Sequence, residues 1–227
     1  MISSDNTSCT MMVMGLTVDV KEHGAVGDGR TDDTEAFERA IRIIKTNGGG
    51  RLIVAAGSPD DDAVETRYLI RPLNLTSHMT LYLQGGVRIV GVADKDAWPV
   101  IPELPSYGQG RDHPGPRYTS LLHGEHLRNV TIQGDGEASV LDGQGAYWWD
   151  MRRQKLENFT RGHLIEFMYS DLVSIFDLKM VDSPYWFNHF FDCDRVHVRG
   201  VSIYAPEESP NTDGWDPDSS RNVLIEE

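Results

Sequence analysis

From Val18 onward, apolar and polar residues alternate in short bursts rather than in long amphipathic stripes. Val18-Asp-Val20 opens the pattern, and a glycine-rich turn, His23-Gly-Ala-Val-Gly-Asp-Gly29, follows it. One segment then has helical spacing. Ala36, Phe37, Ala40, Ile41 and Ile44 fall on one face of a 3.6-residue period, behind an N-cap at Thr31 or Asp32 and ahead of the stop Asn47-Gly-Gly-Gly50. The spacing predicts a helix over 31–45. After it the period becomes two, and strands are expected at 51–55, 68–70, 79–83, 87–90, 130–133, 163–167, 172–175, 196–198 and 223–226. Two insertions, roughly 94–118 and 144–160, break the series; long irregular segments in a compact domain are usually functional walls or lids.

The strands repeat. At an offset of 23, Asp171-Leu-Val-Ser-Ile-Phe-Asp-Leu-Lys-Met180 lies over Asp194-Arg-Val-His-Val-Arg-Gly-Val-Ser-Ile203. Val173, Ile175, Leu178 and Met180 then match Val196, Val198, Val201 and Ile203, and residues from Ser219 begin a further copy. Several small strands per repeat of about 23 residues are the signature of a β-solenoid. The fold expected is all-β, a right-handed parallel β-helix over 18–227 with one N-terminal capping helix, preceded by a loose segment over 1–17.

Composition narrows the function. The 227 residues carry a formal charge of -14, which disfavours nucleic acid and anionic membranes as partners and would require local cations for any polyanionic ligand. Cys9 and Cys193 are too few for a disulfide framework or a zinc site. Met11-Met-Val-Met-Gly-Leu16 is too short to span a membrane and has no basic flank, so no signal peptide is visible. The glycine-rich turn lacks the Gly-Lys-Ser/Thr ending of a phosphate loop and reads as structural. Sequons at Asn6, Asn74, Asn129 and Asn158 favour secretion only slightly.

The chemistry concentrates in Ser209-Pro-Asn-Thr-Asp-Gly-Trp-Asp-Pro-Asp218, where Asp213, Asp216 and Asp218 crowd six residues. A packed core has no use for three carboxylates unless they are paired, whereas a sugar-cleaving or metal site does. Residues 216–227 also approach a twelve-residue calcium loop, but Arg221 occupies the position that needs glycine, so a strand-to-strand turn is the simpler reading. No metal or cofactor is expected.

With the repeat and the acidic stretch in view, the chain resembles the polygalacturonases of glycoside hydrolase family 28. The resemblance rests on the His23–Thr34 opening, Leu141-Asp-Gly-Gln-Gly-Ala-Tyr-Trp-Trp149, His163-Leu-Ile-Glu-Phe167, Asp182-Ser-Pro-Tyr-Trp-Phe-Asn-His189 and Ser209-Pro-Asn-Thr-Asp-Gly214, in that order. It implies hydrolysis of α-1,4-galacturonosyl linkages in pectin with inversion, at the cell wall or outside the cell. Asp213 inherits the role of a catalytic carboxylate, Asn211 would shape the cleft and His189 would bind substrate. The alternative is a noncatalytic β-helix that binds polysaccharide or serves adhesion.

Inversion needs two carboxyls about 6.5–9.5 Å apart. Asp216 and Asp218 differ from Asp213 by odd offsets, so a continuous strand would aim them at the opposite face, and a bend at Pro217 would be needed to bring one back. The resemblance places the partners in Gly-Asp-Asp, Gly-His-Gly and Arg-Ile-Lys motifs, the first around position 236, and none of the three occurs in these 227 residues. The expectation is therefore an N-terminal portion without appreciable activity of its own, prone to self-association through an uncapped solenoid end. Trp148-Trp149 could stack on sugar rings or pack an insertion, and His113, between Arg111 and Arg117, could charge a cleft wall.

Overall fold

A computed structural model describes residues 15–57, 65–104 and 112–227. The loose segment expected over 1–17 lies largely outside them, as do Cys9, Asn6 and Arg111. The first strand, Thr17–Asp19, pairs in parallel with Gly50–Val54, which pairs with Met79–Leu83, and so on coil by coil.

Three walls result. The first stacks Thr17–Asp19, Gly50–Val54 and Met79–Leu83 on the leading halves of Arg128–Asp142, Asp171–Val181 and Asp194–Tyr204, then on Arg221–Glu226. The second stacks Asp28–Asp32, Thr66–Ile70 and Val87–Gly91 on the trailing halves of the same long strands. The third wall is a separate five-stranded sheet: Leu73–Asn74, Leu122–Glu125, Ile165–Met168, Asn188–Phe191 and Trp215–Asp218. Every pairing within the walls is parallel, as a coil requires. The register confirms the 23-residue repeat, since Val173, Ile175, Leu178 and Met180 meet Val196, Val198, Val201 and Ile203. All eight point inward or nearly so, and Val130 and Ile132 continue the stacks of Val173 and Ile175 one coil earlier.

The capping helix runs Thr34–Thr46, not 31–45. Asp32 accepts from the amide of Thr34, the helix's first residue, at 3.0 Å, whereas the other acids ahead of it serve the turn. Asp28 accepts from the amides of Arg30 and Thr31, and Asp33 from those of Val26 and Gly27, leaving Asp33 as an N-cap with no side-chain bond into the helix. The helix buries Phe37, Ala40, Ile41 and Ile44 over the open N-terminal end of the solenoid.

A second helix, Gly145–Gln154, forms within the second insertion, where no helix was expected. Its Trp148 is fully buried, edge-on to Trp98 at 5.0 Å and Tyr118 at 5.2 Å. Trp149 is buried as well and donates Nε1–H to the Ser183 carbonyl at 3.1 Å. The tryptophan pair therefore packs the insertions onto the solenoid and presents no ring to a sugar. No described helix is long and apolar enough to cross a membrane.

Candidate active site

The acidic stretch lies at the last strand of the third wall. Three hydrogen bonds from earlier coils fix the turn that carries it. Arg161, fully buried, donates Nη1–H to the carbonyls of Pro184 at 2.7 Å and Pro210 at 3.1 Å. The Phe187 amide donates to the Asp213 carbonyl at 2.8 Å, and Asn188 Nδ2 donates to the Gly214 carbonyl at 3.0 Å. Asn211 sits at the tip in the left-handed region, φ 56°, a conformation asparagine tolerates better than most side chains. Asn211 and Asp213 are both solvent-exposed.

The strand begins only at Trp215. The bend thus falls at Gly214, before the strand, whereas Pro217 lies inside it. The alternation argument that parted Asp213 from Asp216 assumed an unbroken strand, and it fails for this reason. Earlier coils show what the bend does. Register places Trp186 under Asp213 and His189 under Asp216, with His163 and Glu166 one coil lower. In those coils the two members, three residues apart, come together: His163 Nε2 lies 3.5 Å from Glu166 Oε1, and the rings of Trp186 and His189 are 5.3 Å apart.

Beneath Asp216 runs a buried polar column. Neighbouring strands of the third wall bring His123, Glu166, His189 and Asp216 into register. Glu166 is fully buried, and Arg117 Nη1 reaches both its oxygens, at 2.7 and 2.9 Å. His189 Nδ1 lies 2.8 Å from Glu166 Oε1, and His189 Nε2 lies 3.8 Å from Asp218 Oδ2. Burial alone would raise the Glu166 carboxyl, but the Arg117 charge and hydrogen bonds from His123 and His189 outweigh it and hold the group well below the usual carboxylate range. His163 is pushed well below the ordinary histidine value by burial, and the adjacent Glu166 only partly offsets this, so it stays neutral.

His189, expected from the sequence to bind substrate, is 1 % exposed and lies beneath the acidic stretch. Glu166, Arg117, His163 and Arg161 went unrecognised as site residues. The signal was available: the offset that aligns Asp171 with Asp194 also sets Glu166 beside His189. His113 lies 3.4 Å from Glu157, and Arg117 is spent on Glu166. Residues 216–227 form two strands joined by a turn, as the simpler reading had it.

Ligand atoms of His163, Glu166 and His189 lie within 4.8 Å of one another, the one such metal-capable group among the described residues. Arg117 already donates to both Glu166 oxygens, so a divalent cation would have to sit beside a buried guanidinium and displace its hydrogen bonds. The cluster does not suit a metal. Cys193 is a buried thiol pushed up to about 11 by burial and is unsuited to nucleophilic work.

The fold is thus a parallel β-helix with an acidic turn clamped at the last strand of one wall. Residues 79–227 match the model of glycosyl hydrolases family 28, and the chain belongs to that family. A probable polygalacturonase of Vitis vinifera is 40% identical over 209 residues, covering 91% of this chain and 40% of that protein. An Arabidopsis thaliana probable polygalacturonase is 30% identical over 92% of this chain and 40% of its own length. The solved exopolygalacturonase of Thermotoga maritima superposes with a TM-score of 0.74 at 26% identity, over 92% of this chain and 51% of that one. The chain thus spans about 40% of the length of the curated relatives it matches.

Proposed function

We propose that this chain carries the first carboxylate motif of a hydrolase that cleaves α-1,4-galacturonosyl linkages of pectin with inversion, working outside the cell or in the cell wall. The observation that supports it most is the clamped turn. Arg161, Phe187 and Asn188 hold the carbonyls on either side of an exposed Asp213, and acid–base catalysis depends on a carboxyl held in one geometry. Asp213 is the catalytic carboxylate in this reading. Asn211, exposed at the tip, contacts the sugar, and His189 acts through the buried column.

Arg117 and Arg161 are committed to Glu166 and to backbone carbonyls with Asp112, so neither grips a galacturonate carboxylate. That task needs basic residues such as the Arg-Ile-Lys motif, which these 227 residues do not include. The polypeptide of residues 1–227 by itself is expected to release no reducing sugar.

The test is reducing-end release from polygalacturonate by the protein expressed from its own gene. Asp213→Asn should lower kcat by about a hundredfold or more. A variant that keeps most of its activity would overturn the assignment. Assayed in parallel, polypeptide 1–227 that releases reducing sugar would contradict the expectation for it.

A further inference from the structure

The column beneath the acidic stretch supports a second inference, which rests on the reading just given. Glu166 is ionised, buried and fixed by Arg117, and an ionised carboxylate can only accept hydrogen bonds. At 2.8 Å, His189 Nδ1 must therefore be the donor, which orients the ring. Its other nitrogen, Nε2, has no hydrogen-bond partner and lies 3.8 Å from Asp218 Oδ2. The Asp218 side chain is 9% exposed, so little water stands between the two. A bare Nε2 lone pair facing the Oδ2 oxygen in such a place would be repulsive; a proton on Nε2 makes the approach attractive.

We propose that Glu166 and His189 are positioning residues for the acidic stretch, Glu166 orienting the His189 ring so that a protonated Nε2 holds the Asp218 carboxylate. Charge then alternates along a line from Arg117 through Glu166 and His189 to Asp218. The groups facing His189 are consistent with this. Glu166 and neutral His163 come from the coil below, Trp186 from its own coil, and Asp218 with Asp216 from the coil above; Arg117 and His123 act on Glu166 from the far side. The chain of contacts fixes the charge and orientation of Trp215–Asp218, the strand that continues directly from Asp213.

Long-range proton–nitrogen NMR of the imidazoles in polypeptide 1–227 tests this without any sugar. Near neutral pH, His189 should carry protons on both nitrogens, and Asp218→Asn should remove the one on Nε2 while leaving Nδ1–H. A His189 with a bare Nε2 in the unsubstituted protein, or spectra of His189 unmoved by Asp218→Asn, would overturn the proposal. Near-ultraviolet dichroism checks that the isosteric variant is folded. In the protein expressed from its own gene, His189→Asn keeps a donor for Glu166 but loses Nε2–H. It should lower kcat by about ten- to a hundredfold with KM unchanged, and move the acid limb of the kcat profile to higher pH. An unchanged kcat would count against the proposal. Because the NMR readout involves no hydrolysis, it stands or falls apart from the assignment of Asp213.

Discussion

The first and third walls of the solenoid share one geometry and solve opposite problems. In the first, Val130, Val173 and Val196 stack coil on coil, as do Ile132, Ile175 and Val198, and each stack is apolar from end to end. In the third, the inward face is apolar through Leu122, Ile165, Phe167 and Phe190 apart from Asn188, but the outward face is also buried and carries His123, Glu166 and His189. A stack of valines is indifferent to the identity of its neighbours provided volume is kept. A buried column of charges is not, since each member compensates the next. The buried charged column is thus built on the third wall, where Arg117 of the insertion strand Arg117–Tyr118 pairs with Glu166.

Removing the cation that compensates the third wall's buried column should break this contrast hardest. Arg117→Met leaves Glu166 buried without its cation and is expected to cost about 3–5 kcal/mol in chemical denaturation. A cost below about 1 kcal/mol would mean that the column is not electrostatically closed.

Acidification should come next. His163 has a folded-state value below its unfolded value of 6.5, so the folded state binds fewer protons. Its contribution is complete above 6.5 and is lost as pH falls through that value toward the folded one. Glu166, also lowered, adds a loss of the same sign that begins below 4.5. The melting temperature should therefore drop in two phases on acidification, and His163→Gln should abolish the first. A flat profile in the parent protein across the first phase would contradict the buried, neutral assignment.

The smallest effect belongs to the first wall. Ile175→Val trims one methylene from an apolar stack and should cost about 0.5–1.5 kcal/mol, with no dependence on pH.

The two walls also differed in how far they could be read beforehand. Strands of the first wall were anticipated at 51–55, 79–83, 130–133, 172–175, 196–198 and 223–226, because one face is apolar and the other wet, which writes a clean period of two. Of the third wall only 163–167 was anticipated. Leu122-His-Gly-Glu125, Asn188-His-Phe-Phe191 and Trp215-Asp-Pro-Asp218 are buried on both faces or contain a proline, so their polar members hide the pattern. The helix Gly145–Gln154 was missed for a related reason: its tryptophans are buried against the other insertion, not along a helical stripe.

Sequence alone determined the solenoid, its repeat and the clustering of Asp213, Asp216 and Asp218, because stacked coils impose a fixed offset on apolar positions and local motifs need no partner to be seen. Only the tertiary structure decided where those acids sit. A break at Gly214 overrides strand alternation, and Arg117, Glu166 and His189 become one unit although up to 72 residues separate them. Burial and charge compensation are properties of what lies across a coil, and no stretch of chain contains its own neighbours.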